Sequence, residues 1–401
     1  MTNVQKQLRV LYSFPHKLGA GRICYLGWQI VNSLAAAGAD VTVFTGVLQK
    51  PLPKNVRVIT TLSFGKLRIS YKMLGTLRAC MLHDYFVSRK IKDWAGKIDL
   101  IHTWPLGALR TLATANTFGI PTVIERCNAH TEFAYEVVQK ECERVGIALR
   151  SDHEHAYKEN YLVREKREYR LADRILCPSD FVAQTFIDKG FAKEKLVRYG
   201  YGFDEKKCYP DSRPKPNQGG LTFLFAAGCA PRKGLHFALE AWLKSTASRN
   251  GTFLVVGDFV PGYAEKLSKM MSHPSVKYLG YRHDLPDVMR QSDVLVLPSV
   301  EEGSALVTWD ARGCGCVLVV SDATGAPCNH LENAMVHPAG DVDTLAQHMT
   351  MLHEDRNLYN RLRENSLRTA SQMTWGYSGV RLLEVYRNIL ASKDAEKHNN
   401  N

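Results

Sequence analysis

The feature that most limits how this chain can fold is an alternation carried through twice. Short apolar runs, rich in Val, Ile and Leu, are separated by segments with helical apolar spacing. In the first half Leu8–Tyr12, Val41–Phe44, Ile98–His102, Pro121–Glu125, Arg174–Cys177 and Leu196–Tyr199 read as strands; in the second, Leu221–Ala226, Thr252–Val256, Val276–Leu279 and Asp293–Leu297 do. Helical patterns lie between them, beginning with 21–37, so each half predicts a βαβ succession and a doubly wound parallel sheet. Strands of such sheets are covered on both faces and read as continuous apolar runs.

Between the two series lies Tyr209–Gly220, polar and rich in Pro and Gly, the natural domain linker. At 401 residues the chain exceeds what one core of about 250–300 residues organises. The expected division is 1–208 as a first α/β domain, 209–220 as linker and 221–374 as a second α/β domain. A helix over 375–392 would cross back to the first domain, ahead of a disordered polar tail, 393–401.

The apolar share of 45% and charged share of 23% are those of a globular chain. Leu8–Phe14 lacks the cleavage pattern of a signal peptide, and no apolar run reaches the length of a membrane span. A cytoplasmic protein is therefore expected. Among ten cysteines only Cys314 and Cys316 are close together, so buried thiols and no metal centre are expected. Ser151-Asp152-His153-Glu154-His155 lacks the zinc-protease spacing His-Glu-x-x-His and reads as a capped helix start.

A formal charge of +12 favours anionic partners. No nucleic-acid motif accompanies it, and nucleic acid is not expected as a partner. Lys66, Arg68, Lys72, Arg78, Arg89, Lys90, Lys92 and Lys97 interleave with apolar residues as in a basic amphipathic helix. Such a helix either rests peripherally on an anionic membrane face or is an ordinary solvated face.

The chemistry-bearing stretch is Leu297–Asp310. A buried strand ends at Pro298, and Gly303 and Ser304 can open a helix whose free N–H groups attract an anion. On one continuous helix Glu302 and Asp310 would lie about 80° apart. With Glu302 in the turn and Asp310 in the second helical turn, both carboxylates lean toward one cleft. The alternative is that they merely favour the helix dipole. Arg232 and Lys233, at the carboxyl end of the second half's first strand, suit a diphosphate or are plain surface charge. The first connection holds His16, Gly19, Gly21 and Arg22, but not the Gly-x-Gly-x-x-Gly dinucleotide fingerprint, which argues against a nicotinamide or flavin enzyme. His102 and His130 fall at strand ends, where ligands of open α/β sheets gather.

Taken together these segments resemble the retaining glycosyltransferases of GT-B fold, specifically the family numbered four. The resemblance is carried by Gly228 with Arg232-Lys233-Gly234, by 254–258, by 292–299, and by 338–341 with Leu345-Ala346. In the first half 99–102, Ala129-His130, 171–174 with Pro178-Ser179, and 199–204 occur in the expected order. It implies two Rossmann-like domains facing a cleft, a nucleoside-diphosphate sugar as donor substrate, no cofactor, and a carbohydrate or lipid-linked glycan as acceptor. It also implies that Glu302 contacts the donor sugar's hydroxyls, that Asp310 stands where the family has a second glutamate gripping the ribose, and that Arg232 and Lys233 neutralise the diphosphate. Backbone N–H groups of Gly303, Ser304, Ala305 and Leu306 and the turn at Gly19 and Gly21 would assist, with His130 facing the sugar from the opposite domain. The chain departs from the family at Asp310, at Ser304-Ala305 and at 325–329, each of which bears on donor identity. The activity implied is transfer of a hexose-type sugar with retention of configuration. A nucleotide-sugar epimerase on the same plan and a non-catalytic nucleotide-sugar-binding subunit are the alternatives.

Overall fold

In the computed structural model, which describes residues 7–64, 67–211 and 220–399, the apolar runs become strands and their pairing order sets the architecture. The first half runs β1 (Arg9–Leu18), α1 (Ile23–Ala36), β2 (Asp40–Leu48), β3 (Arg57–Thr60), the short antiparallel pair β4 (Ser63–Phe64) and β5 (Leu67–Arg68), α2 (Tyr71–Leu74), α3 (Thr76–Trp94), β6 (Leu100–Thr103), α4 (Leu109–Thr117), β7 (Thr122–Glu125), α5 (Thr131–Val145), α6 (Glu159–Leu171), β8 (Arg174–Cys177), α7 (Asp180–Asp188) and β9 (Leu196–Arg198). The second runs β10 (Thr222–Ala226), α8 (Leu235–Lys244), β11 (Thr252–Val256), α9 (Tyr263–Met271), β12 (Val276–Gly280), α10 (Leu285–Gln291), β13 (Val294–Leu297), α11 (Leu306–Gly313), β14 (Val317–Ser321), β15 (Ala334–His337), α12 (Val342–Glu354), α13 (Arg356–Arg368) and α14 (Trp375–Asn399).

The expected pair of doubly wound parallel sheets is what forms. The first is ordered β3-β2-β1-β6-β7-β8-β9 and the second β12-β11-β10-β13-β14-β15. In each, the chain leaves the first strand in one direction and later returns to its other side, so the order reverses between β1 and β6 and between β10 and β13. The crevice outside the carboxyl ends of those strands is where such sheets take ligands. Two segments flank it in the second domain: 227–233 after β10 and 298–305 after β13. All four residues of β13 are fully buried, as its unbroken Val-Leu-Val-Leu sequence requires.

The helix that closes the chain packs on α1 of the first domain. Gly379 admits the close approach, because a Cβ there would collide with the Ser33 carbonyl. Farther along, the Tyr386 hydroxyl lies 2.5 Å from His102 Nδ1, whose Nε2 lies 3.4 Å from Glu125. His102 is thus a structural group at the junction of α14 with the first sheet.

Several expectations change. β1 continues to Leu18 through a register shift between Phe14 and Lys17, so His16 belongs to the strand and not to the connection. The basic stretch is not one amphipathic helix. It divides among β5, α2 and α3, with Gly75 at φ 74° breaking the helical run, and α3 turns Ala79, Cys80, Val87 and Ile91 into the core; Lys66 lies outside the described residues. The segment 151–158 is a loop, and α6 starts only at Glu159. The helix expected over 375–392 continues to Asn399, in keeping with the helix-forming residues Ala395, Glu396 and Lys397. Most of the expected linker, 212–219, lies outside the described residues. Among the described residues no helix is long and apolar enough to cross a membrane.

Candidate active site

β13 delivers the turn at Pro298–Glu302 to the carboxyl edge of its sheet, and neighbouring strands hold it there. Ser321 Oγ donates to the Ser299 carbonyl at 2.5 Å, and Thr324 Oγ1 to the Leu297 carbonyl at 2.9 Å. Across the switch point β10 runs into the 3-10 turn Pro231–Lys233, which ends at Gly234 with φ 71°. That glycine is required, since a side chain would strike the Pro298 carbonyl. The Val300 N–H donates to the Arg232 carbonyl at 2.9 Å, so the two turns are tied together through backbone.

Their side chains form one charged cluster. Arg232 donates from Nη1 to the Glu301 carbonyl at 2.6 Å and to Glu301 Oε2 at 3.0 Å, and lies 3.2 Å from Glu302 Oε2. Lys233 Nζ donates to Glu302 Oε1. Both carboxylates are nearly buried, Glu301 at 0% and Glu302 at 6% exposure. Burial, followed by the neighbouring Arg232 charge, pushes the Lys233 ammonium well below its ordinary value. The structure thus brings Glu302, Arg232 and Lys233 together and adds Glu301. Two adjacent carboxylates matched to two adjacent cations was the available signal for it.

The first domain closes on this cluster through backbone. The Ala129 N–H donates to Glu301 Oε1 at 3.0 Å, and Ser179 Oγ donates to the Gly303 carbonyl. Gly303 serves this contact, because a Cβ would overlap the Cys127 carbonyl. α11 begins at Leu306 with Ala305 as its cap, two residues later than expected, and the Ala305 N–H is spent on the Thr324 carbonyl at 3.4 Å. Ser304 Oγ accepts from Trp309 Nε1 at 2.9 Å. Leu306 lies in the first turn of α11, where helix geometry leaves N–H groups without intrahelical partners.

Other expected residues fall elsewhere. Asp310 lies in the second turn of α11 but accepts from the Cys208 thiol at 3.5 Å and sits in the field of Asp204 and Lys207; no bond joins it to Glu302. Burial pushes its carboxyl up to about 6. The Gly19 N–H donates to the Cys24 carbonyl at 2.9 Å within its own turn at φ 88°, while Gly21 is exposed. His130 does not face the cleft. It caps α5, accepting from the Glu132 N–H at 3.3 Å, and its ring packs among Tyr169, Phe186 and Phe191 with centroids 5.0–5.8 Å away. Burial holds it down to about 3. Aromatic residues about sixty positions downstream thus draw the ring into the first domain's core.

Two parallel-sheet α/β domains, of seven and six strands, form the GT-B architecture of glycosyltransferases. Residues 220–355 match the family model described as Glycosyl transferases group 1, and residues 28–206 match Glycosyltransferase Family 4. Between them the two span most of the chain, which belongs to these glycosyltransferases. A Campylobacter jejuni relative, the N,N'-diacetylbacillosaminyl-diphospho-undecaprenol alpha-1,3-N-acetylgalactosaminyltransferase, is 27% identical over 124 residues, 30% of this chain and 33% of its own. The match therefore spans about a third of that relative's length. Glycogen synthase of Mycobacterium tuberculosis is 23% identical over 97% of this chain and 95% of its own. Anabaena HepE, solved with UDP, superposes with a TM-score of 0.66 at 18% identity, covering 95% of this chain and all of that one.

Proposed function

We propose that the chain transfers a hexose-type sugar, with retention of anomeric configuration, from a nucleoside-diphosphate sugar to a carbohydrate or lipid-linked glycan. The observation that carries this reading is the convergence of Arg232, Lys233 and Glu302 at the β10/β13 switch point, under the first domain. Within the cluster Glu302 is the counter-charge of both cations. A diphosphate arriving there replaces Glu302 as their counter-charge and frees its carboxylate to accept hydrogen bonds from sugar hydroxyls. Charge developing on the leaving phosphate is then met by groups already in place, which is the largest contribution a fixed polar site makes to catalysis. In a same-face displacement the leaving phosphate oxygen itself takes the acceptor's proton, so the protein's task is positioning.

HepE is solved with UDP, and the Campylobacter relative's name specifies a lipid-diphosphate acceptor; both support a nucleotide-sugar donor and a glycan-lipid acceptor here. The exposed Met73, Met81 and Tyr85, together with Lys72, Arg78 and Arg89, support peripheral contact with an anionic membrane. A panel of nucleotide sugars with extracted glycan-lipid acceptors tests the reading. Nucleoside diphosphate release with an α-configured product from an α-configured donor is expected; inversion would remove the same-face mechanism, and no turnover with any donor would remove the transferase reading.

A further inference from the structure

The turn Pro231–Lys233, which carries both cations, is not held by its own domain alone. α5 of the first domain packs against it. This one helix reaches both halves of the charged cluster: the Ala129 N–H, just ahead of α5, meets Glu301, and farther along the helix Glu141 meets His236. His236 stands in the first turn of α8, three positions after Lys233.

The bonds around His236 fix its ring. Its N–H donates to the Tyr263 hydroxyl at 3.1 Å, which directs that hydroxyl's own proton to Nδ1, 2.6 Å away. With Nδ1 accepting, Nε2 carries the proton of the neutral ring, and Nε2 lies 2.8 Å from Glu141 Oε1. Arg144, whose Nη2 is 2.6 Å from Nε2, donates to the same Oε1 at 2.8 Å and lays its guanidinium over the Phe237 ring, 4.5 Å from the centroid. Glu141 and His236 are each 8% exposed, and Tyr263 is fully buried. Burial opposes the charge on Glu141, yet the bonds from His236 and Arg144 hold its carboxyl below its ordinary value. A buried carboxylate is costly unless it is bonded, and here one of its bonds crosses to the helix that starts at the cation turn.

Among the described residues no hydrogen bond or ion pair joins Glu141, His236 or Tyr263 to Arg232, Lys233 or Glu302, so they act on the cluster through the start of α8. We propose that Glu141 is a positioning residue for the reaction: through His236, across the domain boundary, it fixes the first turn of α8 and with it the Arg232–Lys233 turn in the orientation that meets the charge leaving with the diphosphate. This rests on the reading that a nucleotide sugar is the donor and that these cations face its diphosphate. It gives the first domain a part in stabilising the leaving group without touching it.

Steady-state kinetics of the full chain with UDP-glucose, UDP-N-acetylglucosamine, GDP-mannose and ADP-glucose, beside calorimetric titration with UDP, GDP and ADP, tests the assignment. For whichever donor is turned over, Glu141→Ala is expected to lower kcat about 10- to 100-fold, the scale of a misplacement of about 1 Å at a reacting centre. Binding of the matching nucleoside diphosphate should stay within about 2-fold, because both cations remain and only their alignment in the transition state is lost. Glu141→Gln keeps an acceptor for the Nε2 proton and should recover most of kcat. His236→Ala should cost about as much as Glu141→Ala, and the double variant no more than either, since both break one contact. Lys233→Ala is the reference. If it lowers turnover while Glu141→Ala and His236→Ala behave as wild type, the positioning role is overturned and the nucleotide-sugar reading stands; if Lys233→Ala is also silent, that reading itself falls. Parallel loss of kcat and of diphosphate affinity, not restored by Glu141→Gln, would mean a contact that only supports the fold, and would equally overturn the proposal.

Discussion

Lys233 holds its ammonium against the Glu302 carboxylate across the β10/β13 switch point, and Arg232 bridges both Glu301 and Glu302 from the same turn. These four side chains are nearly buried and balance one another, so each depends on the others for its charge. Removing one partner of such a group leaves an uncompensated buried charge, typically at a cost of about 3–5 kcal/mol. Lys233→Ala and Glu302→Ala are each expected to destabilise the chain in denaturant titrations. The double variant should be less unstable than the two effects added, with a coupling of about 1 kcal/mol or more. Strict additivity would mean that the pair is not energetically joined.

Gly303→Ala is expected to separate the domains locally. Its Cβ would overlap the Cys127 carbonyl, and the Gly303 carbonyl would lose its bond from Ser179. Turnover should fall at least tenfold while the second sheet keeps its fold. Hydrogen exchange checks this: amides at 126–130 and 303–306 should lose protection and those of β10 and β13 should not. Unchanged exchange at 126–130 would contradict the contact.

Asp310 is a carboxyl that burial pushes up to about 6 from an ordinary value of 3.8. Between those two values the folded state binds the proton that the unfolded state has released, so stability falls as pH rises through this window. Asp310→Asn should therefore be more stable than wild type above pH ~6, by about 3 kcal/mol, and the gap should close below pH ~4, where both states of the wild type are protonated. Thermal melts across pH 4 to 8 read this directly, and a gap independent of pH would show that Asp310 ionises freely.

His337 and His348 give the opposite limb. Both are buried with ring nitrogens that lack partners, and burial holds them down to about 3 and about 4. Below the unfolded value of 6.5 the unfolded state takes up protons that the folded state refuses, and stability drops as pH falls. His337→Leu should flatten this acid limb, improving stability at pH 5 by about 2 kcal/mol relative to its effect at pH 8. An equal effect at both pH values would contradict a neutral buried His337.

Much of this was readable before any coordinates. Most strand runs and the two sheets follow from apolar periodicity, while the meeting of Arg232-Lys233 with Glu302 is what the family resemblance implied. What periodicity could not supply were contacts made by residues far apart in the chain. One partner of Glu301 is a backbone N–H 172 positions away, and the place of His130 depends on Phe186 and Phe191 filling the space behind it. Ser151 and Glu154 have the spacing of a capping box, which is a local signal. The helix nevertheless begins only at Glu159. The basic stretch misled for a related reason, since charge and apolar spacing alone do not show that Gly75 divides it.

The claim on which the rest depends is that the cluster at the second switch point handles the donor's diphosphate and sugar. The direct measurement is nucleoside diphosphate release from a panel of nucleotide sugars by wild type, Glu302→Ala and Lys233→Ala, with folding of each variant verified. The account predicts turnover with one donor and a loss of at least a hundredfold in both variants, about 2.7 kcal/mol of transition-state stabilisation. Variants that turn over as wild type does would contradict it.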